Sequence, residues 1–263
     1  MLTRARAIEE IARRHFEVVV VGGGITGAGV ALDAASRGYS VALLERGDYA
    51  LGTSSRSSKM VHGGLRYLQN FDLGLVREAL LERQLMVRLA PHLVYPTPFL
   101  VAALGEERRD RKLGLGLNMY DVMATTRAGR SRRERRSNGE QEEDYYWSPD
   151  RHRTIDRDEV LDLVPALAPR DPKDAYLFYD CQTDDVRLVL TILGEAERYG
   201  AVFVNGAEVT GLLDRDGQAC GVACVDAETG ETFEVEADNV VNATGVWADR
   251  IRPEEIYDEE EVP

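Results

Sequence analysis

"FEVVVVGGGITGAGVALDAASRGYSVALLERGD", residues 16–48, runs from an apolar block through a glycine cluster into a small-residue segment and a second apolar block. Val18 to Val21 form a continuous apolar run, as a central parallel strand buried on both faces requires. Gly22, Gly24 and Gly27 follow in the spacing G-x-G-x-x-G, and Ala31, Leu32, Ala34 and Ala35 suit a closely packed helix that stops at Gly38. The next strand, Val41 to Leu44, delivers Glu45, 23 residues after Gly22. Glycines at these positions permit a tight turn, a close backbone approach to a pyrophosphate, and close contact between helix and strand, with the phosphates on the helix N-terminus. A carboxylate at position 45 accepts hydrogen bonds from ribose hydroxyls, worth about 1.5–3 kcal/mol each. It disfavours a 2′-phosphate and hence NADP, but leaves NAD and FAD both open. Strand, turn, helix, strand and terminal acid agree, so the segment reads as a dinucleotide-binding unit.

The distal part of the chain separates those two. A helical segment, Val186 to Tyr199, leads into a strand at Ala201 to Val204. Three strand-like pieces follow, EVTGLLDR, ACGVACVDA and TFEVEAD, joined by the turn signals RDGQ and ETGE. Then NVVNATGVWAD runs as an apolar strand into a Thr244-Gly245 turn. A β-meander, a strand and an A-T-G turn in that order resemble the Rossmann-like FAD-binding domains of the glutathione-reductase and amino-acid-oxidase type. The resemblance implies an α/β fold, FAD as cofactor, backbone close to the flavin at Thr244 and Gly245, and a main-chain contact from Val209 to adenine.

Between these regions lies GTSSRSSKMVHGGLRYL, residues 52–68, with no period of two and no sustained period of 3.6. Together with GGGITGAG it resembles the FAD-dependent, quinone-linked glycerol-3-phosphate dehydrogenases. The likeness continues through LVREALLERQLMVRLAPHLVYPTPF, LGLNMYD and FYDCQTDDVRLVL to VNATGVWADRI. It implies that Thr53, Ser54, Ser55, Ser57, Ser58 and Lys59 line the pyrophosphate and ribityl chain, and that Gly63 and Gly64 let the backbone pass the isoalloxazine ring. Arg66 and Tyr67 match substrate-pocket positions, where an arginine forks onto the phosphate of glycerol 3-phosphate. His62 has three open readings: a flavin-side residue, the proton acceptor for the C2 hydroxyl, or a packing histidine that fixes the loop. A solvated serine loop, a solvated Lys59 and a structural ion pair at Arg66 are the plain alternatives. The implied reaction gives dihydroxyacetone phosphate and hands electrons to a membrane quinone; an amino-acid-oxidase-like enzyme and a non-catalytic flavin module are the competing classes.

Bulk properties bound the rest. In 263 residues, 32 basic side chains against 46 acidic ones give a net charge of −14, which excludes an electrostatic nucleic-acid footprint. Lysine occurs only at Lys59, Lys112 and Lys173, a composition that fits a high-salt proteome and a GC-rich genome equally. Cys181, Cys220 and Cys224 read as small buried hydrophobes rather than a disulfide framework or a metal site, so no metal is expected and a reducing cytoplasm is the default. No apolar run approaches membrane-spanning length; peripheral attachment to the inner face of the cell membrane is the expectation that quinone chemistry adds. Six arginines between Arg127 and Arg136 and the amphipathic stretch 1–16 are two segments that could touch anionic lipid, or simply face solvent. A homodimer is an open expectation. The domain reading is discontinuous: a flavin domain over 17–90 and 186–251, a cap or substrate portion over 91–185 with a charged insertion near 127–149, and a chain cut short after 263 relative to the family.

Overall fold

A computed structural model describes residues 3–64, 72–105, 110–123 and 151–251. The chain divides into two units, residues 1–58 with 185–263, and residues 59–184. The first unit leaves off at residue 58. The reason is local: β3 (Met60–Val61) pairs antiparallel with β6 (Pro172–Thr183), and the Lys59 carbonyl accepts the Thr183 N–H at 2.9 Å, so the chain joins the second sheet as soon as the serine-rich loop ends.

In the first unit, β1 (Phe16–Val21), β2 (Val41–Glu45) and β7 (Val202–Asn205) run parallel; with β8 (Ala207–Arg215), β9 (Gln218–Asp226) and β10 (Thr232–Asn242) the sheet order is β7-β2-β1-β10-β9-β8. β8 and β9 form the antiparallel meander. The expected third meander strand and the strand before the A-T-G turn are one continuous strand, β10. Residues 232–236 of it pair antiparallel with β9, and residues from Ala237 to Asn242 pair parallel with β1. The apparent break at Asp238-Asn239 is polar because both side chains are exposed, not because the chain turns.

Two apolar layers cover the sheet. On one face α2 (Ile25–Ser36) and α6 (Asp185–Arg198) bury Ala28, Ala31, Ala35, Val189 and Leu193 against Val20, Val41 and Leu43. On the other, α1 (Arg4–Arg13) buries Ala7 and Ile11 among Phe16, Val19, Val204 and Val235. One face of α1 is therefore core: Ile11 is fully buried, and Arg4 donates to Asp226 at 2.5 Å and to the carbonyls of Asn205 and Gly206. Its apolar face is spent inside the fold.

The second unit is built on β6, flanked by β4 (Val94–Leu104) on one side and by β3 and β5 (Arg153–Asp156) on the other, all antiparallel. Among the described residues, helices α3 (Leu73–Leu89), α4 (residues 111–123) and α5 (Arg157–Leu163) belong to it as well. Val76 and Leu80 from α3 pack with Tyr120 from α4. Arg66, Tyr67 and the charged insertion near 127–149 lie outside the described residues.

Candidate functional site

The glycine turn is fixed by backbone crowding. Gly22 adopts φ +111°, and a Cβ there would sit 2.6 Å from the carbonyl oxygen of Ala243. A Cβ at Gly27 would overlap the Gly22 carbonyl outright, and one at Gly24 would approach the Ser54 hydroxyl at 3.1 Å. The middle residue, Gly23, is crowded too, by side chains rather than backbone, with Tyr49 at 2.8 Å and Glu45 at 2.9 Å from its missing Cβ. The G-x-G-x-x-G spacing treats that position as free, so the sequence pattern did not mark it.

Glu45 ends β2 and is half-buried. One carboxylate oxygen accepts the Gly23 N–H at 2.7 Å and the other accepts the Gly47 N–H at 2.9 Å. The side chain therefore braces the turn. Each oxygen retains acceptor capacity beyond its one bond.

The serine-rich loop begins with a 3₁₀ turn, Thr53–Ser55. The Ser54 hydroxyl accepts the Ile25 N–H at 2.9 Å and so lies at the N-terminus of α2, where the helix offers orphan donors and positive partial charge. Ser55 donates to the Leu51 and Gly52 carbonyls of its own turn. Ser57 donates to the Asp185 carboxylate at 2.8 Å, which ties the loop to the first turn of α6. Among the expected hydroxyl contributors, then, Ser54 stands on the helix terminus, Ser55 and Ser57 hold the loop in shape, and Thr53 and Ser58 frame it.

The A-T-G turn closes the same region. Asn242 Oδ1 accepts from the Thr244 hydroxyl at 2.6 Å and from its N–H at 3.2 Å, while Nδ2 donates to the Ala248 and Ile251 carbonyls. Gly245 takes φ +60°. Arg46 stacks over Trp247 with its guanidinium carbon 4.3 Å from the ring centroid, and a Cβ at Gly52 would approach the Trp247 ring at 3.0 Å. Val209 pairs with Cys224 just before a register shift in β8. Gly22, Gly24, Gly27, Glu45, Ser54 and the Ala243–Thr244 backbone thus form one cluster within the first unit. Its crowded backbone, helix N-terminus and strand-end carboxylate fit a dinucleotide.

Lys59, His62, Gly63 and Gly64 belong to the second unit. Lys59 turns with φ +58° into β3. His62 is exposed, and its Nδ1 accepts the Gly64 N–H at 3.0 Å. A neutral ring held this way carries its proton on Nε2 and offers a donor there. The adjacent Gly63 N–H donates to the Tyr120 hydroxyl at 2.8 Å, and a Cβ at Gly63 would overlap Leu80 and that hydroxyl. Burial raises the Tyr120 phenol above its usual range, so it stays protonated.

Among the described residues, no His/Cys/Asp/Glu group is arranged to hold a metal, and no helix is long and apolar enough to cross a membrane. Cys181 and Cys224 are buried thiols, pushed up to about 11 and about 12 by desolvation.

Known proteins align with this geometry. The family described as FAD dependent oxidoreductase matches residues 17–260. A glycerol-3-phosphate dehydrogenase of Mycobacterium leprae (strain TN) is 42% identical over 250 residues, 95% of this chain and 39% of the relative. An alpha-glycerophosphate oxidase of Streptococcus pneumoniae serotype 4 is 34% identical over 254 residues, 95% of this chain and 39% of that protein. Among solved structures, the glycerol-3-phosphate dehydrogenase from Bacillus halodurans complexed with FAD superposes with a TM-score of 0.66 at 29% identity, covering 94% of this chain and 37% of that one. The chain spans about two fifths of the length of the curated relatives it matches. With a Rossmann-like sheet, a meander and a dinucleotide cradle in place, the chain belongs to the FAD dependent oxidoreductase family.

Proposed function

We propose that the chain is the flavin-binding portion of an enzyme that oxidises sn-glycerol 3-phosphate to dihydroxyacetone phosphate. The observation that carries this reading is the likeness to a glycerol-3-phosphate dehydrogenase over 95% of the chain; the braced glycine turn supports it. Bound FAD supplies a two-electron acceptor for the hydride that leaves C2 of the alcohol. Gly22, Gly24, Gly27 and the N-terminus of α2 receive the pyrophosphate, and Glu45 receives the ribose. Val209 meets adenine through its main chain. Thr53, Ser54, Ser55, Ser57, Ser58 and Lys59 follow the pyrophosphate and ribityl chain, with Gly63, Gly64, Thr244 and Gly245 supplying close backbone beside the ring. His62 meets the C2 hydroxyl, and Arg66 with Tyr67 takes the phosphate. Electrons leave to a membrane quinone reached from the cytoplasmic side.

The substrate claim is tested at Arg66. A guanidinium fork on a phosphate has no equivalent in an ammonium, so Arg66→Lys should fail to substitute. In the full gene product, Arg66→Lys and Arg66→Ala should raise KM for glycerol 3-phosphate about ten- to a hundred-fold, or roughly 1.5–3 kcal/mol, with flavin content and kcat little changed. Loss of flavin and early melting in both variants would make Arg66 a structural residue instead. Turnover with an amino acid in place of the phosphate ester would favour the oxidase class.

A further inference from the structure

Three segments far apart in sequence converge on the turn that carries His62. Arg83 from α3, Tyr120 from α4 and Asp180 from β6 are 1%, 3% and 2% exposed. Arg83 Nη1 donates to Asp180 Oδ1 at 2.8 Å and to the Tyr120 hydroxyl at 2.9 Å; that hydroxyl donates to Asp180 Oδ2 at 2.9 Å. Asp180 Oδ1 also accepts the Cys181 N–H at 3.1 Å. The phenol oxygen thus donates once and accepts twice, its second donor being the Gly63 N–H at 2.8 Å.

A buried Arg–Asp pair is a poor device for stability alone, because apolar residues of similar volume usually serve as well or better. What this one delivers is a single oriented acceptor. The phenol holds the Gly63 amide, the next amide holds His62 Nδ1, and Gly63 sits so close to Leu80 and Tyr120 that a Cβ there would overlap both. We infer that Arg83, Asp180 and Tyr120 form a positioning network that sets the orientation and ring tautomer of His62. The inference rests on the functional reading above for the importance of His62 in turnover, but not for the geometry itself.

The test compares Tyr120→Phe with Val76→Ala, which trims the same apolar cluster and leaves the phenol in place. Amide exchange of the 60–64 segment, read against a remote β1 peptide, should accelerate at least about ten-fold in Tyr120→Phe and stay near the parent in Val76→Ala. In the full, flavin-loaded gene product, Tyr120→Phe should keep KM within about two-fold, lose about ten-fold in kcat, and alter the pH profile of kcat/KM; Val76→Ala should lower the melting temperature and leave the profile alone. If Tyr120→Phe does not fold, the combined Arg83→Met, Tyr120→Phe and Asp180→Leu variant removes the acceptor without stranding a charge and should give the same exchange signature. Equal exchange and equal kinetics in the Val76 and Tyr120 variants would overturn the inference. His62→Gln separates the two claims: accelerated exchange in Tyr120→Phe, together with parent-like turnover in His62→Gln, supports the network and sinks the role given to His62.

Discussion

Glu45 does two jobs with one carboxylate, and the split is measurable. Its oxygens close the turn on the Gly23 and Gly47 amides, and the same group stands at the end of β2 where a ribose is expected. Glutamine keeps one acceptor and sets an NH₂ against an amide donor. Glu45→Gln should therefore cost about 1–3 kcal/mol of stability and release FAD during gel filtration, while molecules that keep their flavin retain the parent's KM. Retention of FAD as tight as the parent's would remove the ribose role and leave only the brace. Sequence spacing made Glu45 legible as a ligand, because a carboxylate after the second strand is a local pattern. It did not reveal the brace, since that depends on where Gly23 and Gly47 point. Arg83 is the opposite case: it falls on the apolar stripe Val76, Leu80, Arg83 of α3, a charge on a buried face, and that signal was there to be read.

Elements carry two further predictions. α2 can lie against β1 only because Gly27 has no side chain: its Cβ would overlap the Gly22 carbonyl. Gly27→Ala must push the helix off the strand, so it should destabilise the first unit by about 1–3 kcal/mol or more and abolish FAD binding. A Gly27→Ala protein that melts like the parent would mean the turn relaxes freely. At the other face, α1 is clamped by Arg4. Its hydrogen bond holds the Asp226 carboxyl down to about 2, helped by the Glu228 N–H and by Thr229. A carboxyl depressed in the folded state stabilises the fold above its unfolded value, near 4, and that contribution is lost as pH falls through about 2. Arg4→Gln should thus unfold at lower urea than the parent at pH 7, and the gap should narrow between pH 4 and pH 2. A gap that stays constant over this range would assign the clamp to the carbonyl contacts of Arg4 alone. The sequence offered α1 only as an amphipathic helix; that Ile11 is core depends on β7 and β10, which pair more than 180 residues later.

For the whole molecule, the parallel core, the meander and the helix before it were legible because each follows from local periodicity and turn chemistry. Two features were not. The single strand β10, which changes partner from β9 to β1 midway, looks broken because exposed Asp238 and Asn239 interrupt its apolar run. The pairing with β6 that begins at Met60 rests on a two-residue strand, too short to leave a pattern. The central claim is that this cradle holds FAD in an enzyme acting on glycerol 3-phosphate. It is tested most directly by anaerobic titration of the yellow, flavin-loaded gene product, following the flavin band near its visible maximum. Bleaching by glycerol 3-phosphate at stoichiometric addition, with no response to glycine or proline, is the predicted result. A band unmoved by the phosphate ester, or bleached by the amino acids instead, would contradict it.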